Sequence, residues 1–194
     1  MMYHVTEPHT LEEFVKKSRF ISVITLCESE RDVLRELKAL HVQHPHANHI
    51  AFAYRLKVDS GIIQRVHDAG EPTGTAGKPI FQHIEGKNII NVLVVVIRYF
   101  GGVKLGVGGL TRAYGNAAKK VIDSADLQSY IEMTKIHLTL DYEQFQLFEY
   151  TLKKADGQII EQTFAGQIQL TVALPTDKMI AFSKQFSFRK CALD

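Results

Sequence analysis

Apolar positions along the chain switch between a period of two and a period of about three and a half, and the switches outline the elements. Ser18 to Leu26 (S-R-F-I-S-V-I-T-L) reads as a strand. Ser29 then stands where a helix N-cap belongs, with Asp32 in the first turn, where a carboxylate is favoured. Val33, Leu34, Leu37 and Leu40 follow at helical spacing, and Pro45 limits extension, so helix one is predicted to reach about His41. Ile50, Phe52, Tyr54, Leu56 and Val58 alternate against Arg55 and Lys57, a half-buried strand; Asp59-Ser60-Gly61 turns it into a partner over 62–67. Residues 68–79 form a glycine-punctuated loop, and Pro79 is predicted to begin a short helix carrying Ile80, Phe81 and Ile84. Ile89 to Ile97 is nearly all apolar and predicts a central strand buried on both faces. A second glycine loop, 101–109, feeds a helix whose apolar residues (Leu110, Ala113, Tyr114, Ala117, Ala118, Val121, Ile122) keep one stripe throughout.

After about Tyr130 the pattern restarts. Ile136, Leu138 and Leu140 alternate as a strand, and 143–155 suits a helix packed through Phe145, Phe148 and Leu152, stopped at Asp156-Gly157. Residues 159–164 and 168–174 make a hairpin around Ala165-Gly166. Thr176 is predicted to cap a last helix with Met179, Ile180 and Phe182, followed by a strand near 186–191. The order β-α-β-β-α-β is the ferredoxin-like arrangement. The fold class is therefore α+β in two domains, 1–131 and 132–194.

Composition is that of an ordinary globular protein: 194 residues, 45% hydrophobic and 23% charged. No apolar run approaches the roughly 18–20 residues that span a bilayer. The start, Met1-Met2-Tyr3-His4, has no basic n-region or apolar h-region, and the cysteines, Cys27 and Cys191, have no metal-type spacing. A cytoplasmic protein is expected. Net charge is only +2, yet it is unevenly placed. Within 98–122 stand Arg98, Lys104, Arg112, Lys119 and Lys120, with no acid among them.

That basic stretch contains the second glycine loop, with Gly101, Gly102, Gly106, Gly108 and Gly109. A loop that delivers a helix start exposes N–H groups the helix cannot satisfy, and the helix dipole adds about half a positive charge there. Both favour an anion. Thr111 sits in the same first turn, and Arg112, Asn116, Lys119 and Lys120 form one stripe opposite the apolar face. Loop and stripe together predict a docking surface for a phosphate backbone. The bland alternative stays open: glycines for tight turns and close packing, lysines merely solvated. No P-loop is present, because Gly77-Lys78 is followed by Pro79, and a dinucleotide fingerprint fails because Thr111 stands where its third glycine belongs. No cofactor is expected.

The first glycine loop carries Asp68, Glu71, Thr75 and Lys78. Two carboxylates beside hydroxyls can hold Mg²⁺ or share acid–base work, but turn capping and pairing with nearby bases is the preferred reading. No catalytic residue can be nominated. His41, His44, His46 and His49 straddle Pro45 with irregular spacing, and no metal site is expected there.

Several segments together resemble the IMPACT family: Lys17-Ser-Arg-Phe20, His49 with Ala53-Tyr-Arg55, Asp68 to Ile80, and Arg98-Tyr-Phe-Gly-Gly through Gly108-Gly-Leu-Thr-Arg-Ala-Tyr114. Ile50 departs from the pattern, which usually has Asn after the histidine. The resemblance implies an N-terminal domain similar to the second domain of ribosomal protein S5 and, as in bacterial members, a C-terminal domain similar to parts of elongation factors. It implies a link to regulation of translation, with RNA or the ribosome as partner, and supplies no catalytic residues. Eukaryotic relatives contact a stress-kinase regulator through an additional N-terminal domain, and that partner is not expected here. Two rival readings remain: an enzyme or binder of a small phosphorylated or nucleotide ligand, with Asp68 and Glu71 holding the metal, and a protein-interaction module without catalysis.

Overall fold

Periodicity misses the first two strands. β1 (Tyr3–Val5) and β2 (His9–Val15) precede the predicted β3 (Ser18–Leu26). In β2 the alternation is inverted at its end, with Glu13 turned inward and Phe14 67% exposed. Only pairing of its whole length with residues 18–24 of β3 defines this strand. Ser29 does cap α1 (Glu30–Gln43), in a reciprocal capping box with Asp32. β4 (His49–Val58) pairs with β5 (Gly61–His67) in the expected hairpin. Asp59 of its turn lies outside the described residues, which in this computed structural model are 1–58, 60–184, 186, 189 and 190.

α2 (Gly77–Gly86) starts two residues before Pro79. Proline is harmless there, since first-turn N–H groups have no partner inside the helix. β6 (Val92–Tyr99) begins later than the apolar run from Ile89. Asn91 takes φ 53°, its side-chain oxygen accepts the Lys57 N–H, and Ile90 bonds the Tyr3 carbonyl instead of a ladder partner. α3 (Val107–Ser124) starts inside the predicted glycine loop, so Gly108 and Gly109 belong to its first turn.

The five strands run in the order β2-β3-β6-β4-β5, every neighbouring pair antiparallel. α1 covers one face, packing Val33, Leu37 and Leu40 with Leu93, Val95 and Ile97. α2 and α3 cover the other, against Val92, Val94 and Val96. Both sides of β6 are thus in core, which is why its sequence is continuously apolar. β7 (Leu127–Ser129) closes this unit by pairing with β1.

The chain divides into compact units Met1–Tyr130 and Ile131–Asp194. In the second, β8 (Met133–Leu140), α4 (Tyr142–Lys154), β9 (Gln158–Phe164), β10 (Ile168–Pro175), α5 (Met179–Ser183) and β11 (Arg189–Lys190) form an antiparallel sheet of order β11-β8-β10-β9. Phe148, Phe182 and Phe186 pack together in its core. Thr176 does not cap α5 as predicted. A 3₁₀ turn (Thr176–Lys178) intervenes, and the Thr176 hydroxyl donates to the Glu132 carbonyl. Cys191 lies outside the described residues. The result is a mixed α/β chain in two parts.

Candidate nucleic-acid interface

Antiparallel register brings the end of β2, the start of β3, the end of β6, the start of β4 and the end of β5 to one end of the sheet. Three connections gather there. The β2–β3 turn is Lys16-Lys17, both left-handed at φ 46° and 67°, a mirror-image hairpin turn that lysine adopts at a cost in strain. The other two are the glycine loops, which lead into α2 and α3.

The first loop is closed by its own side chains. Asp68 Oδ1 accepts from the N–H groups of Ala76 (3.0 Å) and Gly77 (2.8 Å), and Oδ2 from Gly74 (2.9 Å). Burial pushes this carboxyl's pKa up, but the three backbone donors outweigh it and leave it below the ordinary value. Thr75 donates to the Pro72 carbonyl. Glu71 is buried; its Oε1 accepts from Arg98 Nη1 at 2.7 Å and from the Tyr114 hydroxyl at 2.8 Å. His49 Nε2 stands 3.7 Å away, while its Nδ1–H donates to the Ala69 carbonyl. Burial, reinforced by Glu71, raises the Tyr114 pKa steeply, so the phenol stays a donor. Lys78 is exposed.

This geometry corrects one expectation outright. Arg98 is no surface phosphate ligand. It is 5% exposed, its charge is answered by Glu71, and its guanidinium lies between the Phe20 and Phe100 rings. It ties the two glycine loops together, as do Glu71 and Tyr114.

The second loop is left open. Gly101 allows it to lie on the β2–β3 turn: a Cβ there would stand 2.0 Å from the Lys17 carbonyl oxygen, and its N–H donates to Ser18 Oγ. Gly106 is the N-cap of α3 at φ 72° and offers no side chain. The first hydrogen bond of the helix is Leu110 N–H to the Gly106 carbonyl. Among the described residues nothing accepts from the N–H groups of Val107, Gly108 or Gly109. Arg112 folds back over this turn, its Nη1 3.9 Å from where a Gly108 Cβ would be. Arg112 and Lys104 are exposed and have no carboxylate partner among the described residues. Gly102 and Asn116 are exposed too, whereas Thr111 spends its hydroxyl on the Val107 carbonyl.

The lower half of the basic stripe is a second correction. Lys119 pairs with Asp123, which also binds Lys87 at 3.0 Å; these two lysines hold the Asp123 pKa down to about 2. Lys120 pairs with Glu13 of β2. A segment free of acids in sequence acquires them in space. Between the β2–β3 hairpin and α3 lies a cavity of about 260 Å³, walled by Lys16, Glu13, Gly109, Arg112 and Asn116 among others. Lys16 and Glu13 escape sequence reasoning because the inverted end of β2 hides the strand; the one available signal was the basic pair before Ser18.

The histidines do not assemble. His41 and His44 turn to the Leu37 carbonyl and the Tyr99 hydroxyl, and no three His, Cys, Asp or Glu groups gather as a metal cluster among the described residues. Nor, among these residues, is any helix long and apolar enough to cross a membrane.

Residues 16–122, which build this end of the sheet, match the family model described as the Impact N-terminal domain. The chain belongs to the IMPACT family. Residues 138–187 match a second model, described as a domain of unknown function, DUF1949. Curated IMPACT relatives include YigZ of Escherichia coli, 33% identical over 93% of this chain and 89% of its own length. A member from Haemophilus influenzae is 33% identical over 91% of this chain and 86% of its own length. A crystal structure described as that of an hypothetical protein aligns over 100% of this chain and 97% of its own, with 30% identity and a TM-score of 0.72. The structure of the two-domain translational regulator Yih1 aligns at a TM-score of only 0.37 with 23% identity, too distant to inform the site.

Proposed function

We propose that this IMPACT-family chain is an RNA-contacting accessory factor of translation that holds the sugar–phosphate backbone at the open start of α3. The observation that carries the reading is the first turn of α3: uncapped N–H groups of Val107, Gly108 and Gly109, with the Arg112 guanidinium beside Gly108 and without a carboxylate partner among the described residues. An N-terminus with about half a positive charge is disfavoured beside a cation, so the turn is arranged for a negative ligand. Lys104 and the hairpin lysines, Lys16 and Lys17, supply further charge at the same end. The translation link rests on the family resemblance, and the partner is RNA, free or in the ribosome.

The rival small-ligand reading is weakened, because its metal ligand Asp68 already accepts backbone N–H groups on both oxygens. The same proposal takes 1–131 as an S5-domain-2-like domain and 132–194 as a ferredoxin-like one in the cytoplasm. For the latter, the order β11-β8-β10-β9 supports the reading.

The test is binding of a labelled single-stranded RNA, followed by fluorescence anisotropy across salt concentrations. Wild-type affinity is expected to fall steeply with salt. Arg112→Glu should weaken binding about tenfold or more for every sequence and lower the salt slope by about one. An Arg112→Glu protein that binds as the wild type does would remove this surface.

A further inference from the structure

Phe100, the first residue after β6, is 46% exposed. A lone exposed apolar side chain needs no explanation. This one, however, is fixed at its backbone and backed at its ring. Asn48 clasps the end of β6: its N–H donates to the Arg98 carbonyl, and its side-chain oxygen accepts the Phe100 N–H at 2.8 Å. The Arg98 guanidinium, held by Glu71, lies 5.4 Å from the Phe100 ring centroid. Arg98 is buried, so that side of the ring is covered and the open surface faces away from it. Arg98 also reaches Phe20, in the core under α2 and α3, so the ring stands on the side of the sheet that carries α3. Phe100 opens the same loop that ends at the cradle: Gly101 beside it rests on Lys17, Lys104 follows, and Val107 carries the first open N–H. Lys16 of the turn below borders the cavity lined by Gly109 and Arg112. Lys16, Lys17, Lys104 and Arg112 have no carboxylate partner among the described residues.

We infer that Phe100 is the platform on which one unpaired base of the bound RNA stacks. The inference rests on the RNA reading above and adds the contact that a phosphate chain alone cannot make. A purely apolar partner seated on Phe100 would leave the cations around it unanswered. A nucleotide brings an anion and a flat apolar face together, and a rigid exposed ring beside free cations complements both. Every base offers such a face, so the contact is made whatever the sequence. In a duplex the faces are taken by neighbouring base pairs, and the strand that uses this platform is therefore single.

The experiment uses the full chain and two labelled probes of equal length and charge, an oligoadenylate and a chain of abasic sugar phosphates. Anisotropy titrations should give about tenfold tighter binding of the oligoadenylate, the usual size for one stacked base, with the same salt slope for both probes. That comparison does not depend on any variant folding. Phe100→Leu, checked by thermal denaturation, should bind the two probes alike. Phe100→Trp should restore the difference. In a chain that otherwise has no tryptophan, the fluorescence of this variant should be quenched by the oligoadenylate and not by the abasic chain. Equal wild-type binding of both probes would overturn stacking and leave the phosphate cradle standing. Failure to bind either would sink both. A preference for the oligoadenylate surviving in Phe100→Leu, or Phe100→Trp fluorescence that ignores the oligoadenylate, would overturn the assignment to Phe100.

Discussion

α2 and α3 start from the same end of the same sheet, yet their first turns are completed in opposite ways. At α2 the Asp68 carboxylate answers the N–H groups of the N-cap Ala76 and of Gly77, the first helical residue, and takes Gly74 of the loop as well, leaving only Lys78 open in a turn whose next residue is proline. At α3 the N-cap is a glycine, the donors of Val107, Gly108 and Gly109 stay open, and a cation, Arg112, rather than a carboxylate stands beside Gly108. Both loops rely on a glycine for close approach, Gly77 against the His67 backbone and Gly101 against Lys17. The difference lies in charge. An internal carboxylate finishes a helix start as structure; its absence leaves the same dipole available to a ligand.

The largest effect should come from the link between the two starts. Glu71→Gln strands the buried Arg98 guanidinium and removes the charged acceptor of Tyr114. A loss of about 3–5 kcal/mol of stability is expected by urea denaturation. A loss under 1 kcal/mol would mean that the pair does not hold the loops. Next is Gly101→Ala, whose Cβ has no space against the Lys17 carbonyl. It should destabilise by about 2–3 kcal/mol, whereas Gly86→Ala, with open space around it, should not.

Asp68→Asn probes the closed start and should cost about 1–2 kcal/mol at neutral pH. The folded-state pKa of Asp68 is depressed, so its contribution is complete above the ordinary aspartate value of about 3.9 and fades as pH falls through the lower folded value. The wild type and Asp68→Asn should therefore converge in stability in acid; a constant gap from neutral pH down to strong acid would disprove the charge assignment. The smallest effect should be the most discriminating. Val107→Asp places a carboxylate in the first turn of α3, at a residue 64% exposed. Stability should rise by about 0.3–1 kcal/mol while RNA affinity falls, because the helix start has been closed in the manner of α2. If both quantities stay put, the two starts differ in nothing that matters to a ligand.

Much of this was legible along the chain. The heptad-like stripe of α3 and the Ser29 cap follow from local spacing, and the structure keeps them; β4 forms where expected but is not half-buried, because Ala51 and Ala53 pack under α2 and α3 while Ile50, Tyr54 and Leu56 pack under α1. The glycine loop before α3 was legible as a helix start with unanswered donors. What misled was charge counted along the sequence. Arg98 read as a surface cation, and Lys119 and Lys120 as free ones, because their partners Glu71, Asp123 and Glu13 lie outside the segment or beyond its edge. Glu13 was hidden twice, by an edge strand with inverted polarity and by a distance of more than a hundred residues from Lys120.

Periodicity and capping act through neighbours a few residues apart, so the sequence by itself determined most of the elements from Ser18 onward, the two-part layout and the place where a helix start is presented, but not the edge strands β1, β2 and β7. Which charges survive at that place was decided only when antiparallel pairing brought β2, the first glycine loop and α3 together. Electrostatic balance depends on distance in space, and a folded chain sets that distance without regard to position along it.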